Sequence, residues 1–232
     1  MDICYATPET CSTATDTVVV IDVWRSFTTA ACAFDKGVRE IITAESTEEA
    51  LALRDRFPDA LLMGMGVSVV GSPVEGFDFG NSPVDIMDSD LSEDLLIQCT
   101  PNGTRGIVRS GMASMLLAGS FVCAGATVRY IKKQSPSKVT FVNTETGLED
   151  QACGEYMAAL LRDETPDARS VLNEIHELGM GRTQDLINKG VITKKEGAKL
   201  IADLECCLSL DRFDFVMLVK RQDGFLVMKP VS

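Results

Sequence analysis

T-V-V-V-I-D-V, residues 17 to 23, sets the reading of the whole chain. An unbroken β-branched run ending on an acid is the pattern of a strand buried on both faces, as in a parallel sheet with helices above and below. The next segment, S-F-T-T-A-A-C-A-F-D-K-G (26–37), reads as a helix closed by Gly37. V-R-E-I-I-T-A (38–44) predicts a second strand. Ser46 and Glu49 have the spacing of a capping box and open a helix over 46–57, and A-L-L-M-G (60–64) predicts a third strand. This β-α-β-α-β rhythm implies right-handed crossovers and a largely parallel sheet.

Residues 64–84, rich in Gly and Pro, predict a long extended loop, a feature uncommon inside compact domains and often functional. D-L-L-I-Q-C (94–99) predicts a strand, G-I-V-R-S-G-M-A-S-M (106–115) and A-T-V-R-Y-I-K-K (126–133) predict helices, and K-V-T-F-V-N (138–143) predicts a strand. A strongly amphipathic helix is expected over 148–162, followed by three helical stretches near 166–178, 181–189 and 193–209. F-D-F-V-M-L-V-K and F-L-V-M-K-P pair as a C-terminal β-hairpin across Asp223-Gly224. The expected fold is therefore α/β, a largely parallel or mixed sheet flanked by helices in three layers. Residues 1–232 form either one unit or two lobes whose boundary is not legible in the sequence.

With 45% hydrophobic and 24% charged residues, the composition is that of a folded globular chain. A net charge of −12 excludes nucleic acid and anionic membrane as expected partners, since both need a basic surface. The first 15 residues lack a basic start and an apolar run, and no apolar stretch reaches the ~20 residues that span a bilayer. A cytoplasmic protein is the expectation, with a homodimer left open. The eight cysteines contain no C-x-x-C pair and are expected to be small buried apolar residues. One histidine, His176, reads as a surface helix residue, which excludes multi-His metal sites. Chemistry must then rest on carboxylates, hydroxyls, Arg, Lys, backbone amides and Mg²⁺.

Three polar clusters fall at predicted strand ends, where ligands of open α/β sheets collect. In the first, Asp22 is followed by Arg25 and by Thr28 and Thr29 in the first turn of a helix. That suits a metal carboxylate beside a phosphate-binding Arg and a helix N-terminus, and equally an Asp–Arg ion pair with threonine caps. The second is Thr100-Pro101-Asn102-Gly103-Thr104-Arg105, an anion-binding loop or a plain strand-to-helix turn. The third is Asn143-Thr144-Glu145-Thr146-Gly147-Leu148-Glu149-Asp150, whose acids hold a metal or simply complement a helix dipole.

Cys99 and Arg105 also have the spacing of a cysteine-dependent phosphatase loop. With eight Cys and twelve Arg, about 0.4 such matches arise by chance. Gln98, Asn102 and Gly106 stand where that loop usually has His, Gly and a hydroxyl residue. Cys99 ends an apolar strand, where burial raises rather than lowers a thiol pKa.

Together the clusters resemble the 2-phosphosulfolactate phosphatase family. V-I-D-V-W-R-S-F-T-T, G-F-D-F-G-N-S-P (76–83), C-T-P-N-G-T-R, L-E-D-Q-A-C-G and C-L-S-L-D-R-F-D-F-V follow the family's motifs in order along essentially the whole chain. The resemblance implies a Mg²⁺-dependent hydrolase of coenzyme M biosynthesis acting on a small phosphorylated 2-hydroxy acid. It implies Mg²⁺ on Asp22 with Glu149 or Asp150, and a phosphoryl clamp of Arg25, Thr28, Thr29, Asn102, Gly103, Thr104 and Arg105. Asn81 and Ser82 would then orient the ester. The family's Gly-Glu-Arg-Gly-Gly segment is replaced by Val67-Ser-Val-Val-Gly71, which carries neither Glu nor Arg. A catalytically degenerate member that binds a phosphorylated metabolite or a protein partner is therefore the alternative, with the Cys99 nucleophile behind it.

Overall fold

The computed structural model describes residues 1–65, 73–91, 95–144 and 147–232. Its strands are β1 (Asp2–Ala6), β2 (Thr17–Ile21), β3 (Glu40–Ala44), β4 (Leu61–Gly64), β5 (Leu95–Cys99), β6 (Met115–Gly119), β7 (Lys138–Asn143), β8 (Val216–Gln222) and β9 (Phe225–Val231). The α-helices among the described residues are α1 (Ser26–Asp35), α2 (Thr47–Arg56), α3 (Pro83–Met87), α4 (Gly103–Arg109), α5 (Ala124–Gln134), α6 (Leu148–Leu161), α7 (Ala168–Asn188) and α8 (Lys194–Cys207). All five residues of β2 are buried, as its composition requires, and the strand pairs in parallel with β6 on one side and β7 on the other.

The nine strands form one mixed sheet in the order β1-β7-β2-β6-β8-β9-β3-β5-β4. Two parallel blocks, β1-β7-β2-β6 and β3-β5-β4, flank the antiparallel hairpin β8-β9. Asp223 (φ 51°) and Gly224 (φ 90°) make the hairpin turn, both in the left-handed region that a two-residue loop demands. Three successive antiparallel pairings make the second block run opposite to the first. In a flat sheet the carboxyl ends of β2 and β5 would thus point apart, five strand spacings from one another. Instead Ser26 and Thr100, just past those ends, touch hydroxyl to hydroxyl at 3.0 Å. The sheet is therefore strongly coiled. Five interstrand steps of about 20–25° are enough to swing one block across the other.

Coiling leaves an inner face and two outer ones. The inner face packs Val18, Val20, Ile41, Leu96 and Met217 around Phe27 and Ala30 of α1 and Ile107 of α4. The outer face of the first block, with Val19, Ile21 and Phe141, is covered by α5 and α6, with Ile175 of α7 and Leu204 of α8 in the same cluster. That of the second block, with Ile42, Leu62 and Ile97, lies under Ala50 and Leu53 of α2.

Several expectations are corrected. The helix expected over 106–115 begins at Gly103 and ends at Arg109, and Met115 belongs to β6. M-L-L-A-G has no β-branched residue to announce a strand, and its place between β2 and β8 decides it. β1 lacks a buried run because it is an edge strand, paired only with β7. α6 is not strongly amphipathic: only Gln151 and Glu155 are exposed, because sheet, α5 and α7 enclose it. The Glu49 carboxylate takes the Glu45 N–H at 2.7 Å, one residue before the Ser46 expected in a capping box. Ser46 Oγ still accepts the Glu49 N–H.

The stretches near 166–178 and 181–189 are one helix, α7, running through Gly179 and Gly181. A Cβ on Gly179 would collide with Leu204 of α8, so this glycine sets the helix–helix contact, whereas a Cβ on Gly181 would point into open space. Gly179→Val is expected to cost about 1–3 kcal/mol by overpacking. Gly181→Ala should instead stabilise by about 0.5–1 kcal/mol by removing backbone freedom from the unfolded chain. Urea unfolding of both variants checks the contrast.

Candidate active site

Asp22 stands one residue past β2 and is 5% exposed. Its Oδ1 accepts the Ser26 N–H at 3.0 Å, and its carbonyl accepts the Phe27 N–H. Two of the first N–H groups of α1 are thus taken by Asp22 itself. The start of α4 presses on the same carboxylate: a Cβ on Gly103 would lie 2.8 Å from Asp22 Oδ2 and 2.5 Å from Ser26 Oγ. Gly103 is needed for that approach. From β5, Gln98 Nε2 donates to the Ser26 carbonyl at 2.9 Å. Residues 22–29 are therefore the meeting point of both blocks.

Arg25 is buried and donates from Nη1 to Asp203 Oδ2 of α8 at 2.8 Å. The ion pair anticipated between Asp22 and Arg25 is replaced by this longer-range one. Asp203, fully buried, also accepts from Ser82 Oγ at 2.6 Å and from the Val84 N–H at 3.4 Å. Ser82 in turn caps α3 by accepting the Asp85 N–H. Ser82, expected to orient the substrate, has its hydroxyl on Asp203 and caps a helix. Asp203 went unread in the sequence, although a signal exists. It falls at i+3 of the apolar stripe Leu200, Leu204, Cys207, where an acid needs a buried partner.

The residues of the expected hydroxyl clamp are hydrogen-bonded within the chain. Thr28 Oγ1 donates to the Val23 carbonyl at 2.9 Å and meets Ser120 Oγ at 2.6 Å, while Thr29 Oγ1 donates to the Arg25 carbonyl. Thr104 Oγ1 donates to the Thr100 carbonyl at 2.9 Å, and its N–H donates back to Thr100 Oγ1 at 3.2 Å. These hydrogen bonds hold the strand-to-helix loops together. Asn102 is the half-buried N-cap of α4. Arg105 is exposed, outside the buried groups around Asp22. Its charge and that of Arg109 add to the Thr7 hydrogen bond that lowers the Glu9 carboxyl pKa.

Asp150, at the start of α6, ties two strand ends together. Its Oδ1 accepts the Val23 N–H at 2.8 Å, and its Oδ2 accepts the Thr144 N–H and hydroxyl at 3.2 Å each. Glu149 is buried with its carboxylate folded over Gly147, where a Cβ would meet it at 2.5 Å. Among the described residues, no group of three or more His, Cys, Asp or Glu is disposed to hold a metal ion. Asp22, Glu149 and Asp150 are accordingly not a group of that kind, while the expected pairing of Asp22 with Glu149 or Asp150 takes two carboxylates only. Asn81 is 3% exposed, with Nδ2 on Met65 Sδ and a buried Oδ1 that has no partner. Gln98 Oε1 is in the same condition. Glu145, Thr146 and the Val67–Gly71 departure lie outside the described residues.

Cys99 faces elsewhere. It packs with Ile42, Ala44 and Leu53 under α2, on the sheet face opposite Gln98 and Leu96. Burial first, then Glu49 and Glu48, push its thiol up to about 11.

With this geometry in hand, the relatives are informative. The family model described as 2-phosphosulpholactate phosphatase matches residues 5–222. The chain belongs to that family. The family is one of phosphatases, enzymes that hydrolyse phosphoric monoesters. A probable 2-phosphosulfolactate phosphatase of Carboxydothermus hydrogenoformans is 31% identical over 232 residues, covering 96% of this chain and 94% of that protein. One of Bacillus subtilis (strain 168) is 33% identical over 149 residues, covering 63% of this chain and 64% of that protein. One of Synechocystis is 33% identical over 169 residues, covering 70% of each. No helix among the described residues is long and apolar enough to cross a membrane.

Removing the Asp203 charge breaks the buried ion pair that Arg25 makes at 2.8 Å. Asp203→Asn is expected to cost about 3–5 kcal/mol. Asp163→Ala, at the exposed Lys132–Asp163 pair, should cost less than about 1 kcal/mol. Chemical denaturation of the two variants measures the difference, and equal losses would contradict the central place given to Asp203.

Proposed function

We propose that this protein is a Mg²⁺-dependent phosphatase that hydrolyses the phosphate monoester of a small 2-hydroxy acid. The proposed substrate is 2-phosphosulfolactate, giving sulfolactate and phosphate. The relatives' names support the substrate, and the charge balance around Asp22 supports the chemistry. Asp22, Glu149, Asp150 and Asp203 are buried, while Arg25 is the one buried cationic side chain among the described residues and is paired with Asp203. Buried carboxylates require compensation. Asp150 accepts three hydrogen bonds, and the carboxylates of Asp22 and Glu149 are the hard oxygen donors that this reading assigns to the metal.

One or two carboxylates, completed by water and substrate phosphate, is the ordinary ligand set of Mg²⁺, and the buried carboxylates Asp22 and Glu149 have the chemistry to supply it. When bound there, the ion supplies charge neutralisation for the phosphoryl oxygens. Arg25, oriented by Asp203, adds a guanidinium to the same end of β2. The backbone around Gly103 closes the other side of Asp22 and excludes bulk water from it. Asn81, whose buried Oδ1 lacks a donor, is suited to accept a hydrogen bond from a water that accompanies the bound substrate.

Phosphate release from 2-phosphosulfolactate and from phospholactate, with Mg²⁺ and with EDTA, tests this. Turnover is expected to require the metal, to fall on the order of 10²–10³-fold in Asp22→Asn, and to survive Cys99→Ser. Loss of turnover in Cys99→Ser would overturn the metal mechanism in favour of the thiol. Tight binding of the esters with no turnover would identify a degenerate, ligand-binding member of the family.

A further inference from the structure

Away from Asp22, the hidden side of α1 carries a second reactive arrangement. Cys32 Sγ lies 3.9 Å from Cys206 Sγ of α8. Cys32 is fully buried and Cys206 is 7% exposed. On the other side of Cys206, Arg212 Nη1 donates to the same sulfur at 3.6 Å, and Met87 Sδ is 3.9 Å away. Arg212 is itself exposed, so the guanidinium joins the buried sulfur to solvent. We propose that Cys32 and Cys206 are a dithiol modification site, oxidised by hydroperoxides to a disulfide that cross-links α1 to α8.

The roles follow from the surroundings. A hydrogen bond from the Cys32 thiol, with the Arg212 charge, lowers the Cys206 thiol pKa. The same hydrogen bond and burial raise that of Cys32. Cys206 is the attacking thiolate and Cys32 the resolving thiol. In the first step the Cys206 sulfur bonds to the terminal peroxide oxygen, the O–O bond breaks, and the leaving alkoxide or hydroxide takes a proton to become alcohol or water. Cys206 is left as the sulfenic acid. In the second step the Cys32 sulfur attacks the Cys206 sulfur, the S–O bond breaks, and hydroxide leaves with the Cys32 proton as water. Two electrons pass from the thiols to the peroxide. The guanidinium on the Cys206 sulfur disfavours a soft metal cation in this place and favours an anion.

The cross-link would lie on the same two helices as the Arg25–Asp203 pair, two turns along α1 and one turn along α8 from it. It would therefore lock the packing that orients Arg25. The other six cysteines lack this setting: Cys99, Cys123, Cys153 and Cys207 are buried with thiols raised by desolvation, Cys11 is buried with its sulfur on the Pro8 carbonyl, and Cys4 is half-buried near the sheet edge.

The test is treatment of the full-length protein with hydrogen peroxide, followed by alkylation in denaturant and peptide mapping without reductant. Two of the eight thiols are expected to disappear together, with a Cys32–Cys206 cross-linked peptide that dithiothreitol reverses. In Cys32→Ser, dimedone should label Cys206, and Arg212→Ala should slow oxidation several-fold. A cross-link between other cysteines, or oxidation of Cys4 with Cys206 intact, would overturn the proposal, as would dimedone labelling of Cys32 in Cys206→Ser. Should a variant fail to fold, the wild-type peptide map decides alone. None of these readouts depends on phosphatase activity.

Discussion

The contact between Arg25 and Asp203 is the constraint on which the site depends. Both groups are removed from water, a loss that Coulomb attraction repays only when the remaining hydrogen-bonding capacity is also met. Asp203 meets it with the Ser82 hydroxyl and the Val84 N–H. One carboxylate on α8 thereby joins the start of α1, the Gly80-Asn-Ser-Pro turn and the C-terminal helical pair. Such a pair adds little net stability compared with apolar packing of the same volume. Its effect is on arrangement, because any docking of α8 that separates the two leaves a buried charge unmatched.

Around that pair, residues 22–29 act as a hub of the fold. Ser26, Thr28, Thr29, Thr100 and Thr104 use their hydroxyls on one another or on nearby carbonyls. A cluster of hydroxyl residues at strand ends invites a phosphate-binding interpretation, yet a strongly coiled sheet creates its own demand for donors. Several chain reversals converge there, each with backbone carbonyls to satisfy. What is left for chemistry is narrower: the buried carboxylates Asp22 and Glu149, the Arg25 guanidinium, and the carboxamides of Asn81 and Gln98, whose orphaned oxygens are costly to maintain.

The coiled sheet itself explains why the motifs work at such distances in the chain. The antiparallel hairpin reverses the second parallel block, and twist turns the carboxyl end of β5 back onto that of β2. The inner face then encloses α1 and α4, and both helices start within reach of Asp22. Glycines at Gly103 and Gly147 make room where a Cβ would strike a carboxylate.

Much of this was legible in the residues themselves. The β-branched run 17–21 announced a doubly buried strand, and its end placed Asp22 where parallel sheets gather ligands. The apolar run D-L-L-I-Q-C announced a strand ending on a buried Cys99, and the order of motifs carried the family. Periodicity and composition record which faces are buried, because burial acts on each residue separately. The tertiary structure alone decided that β6 is a strand, that Arg25 pairs with Asp203 rather than Asp22, and that the threonine hydroxyls are spent internally. Those outcomes depend on partners up to 178 positions away in the chain. Which donor finds which acceptor across such a separation is determined by packing and by the exclusion of water, and no local pattern encodes it.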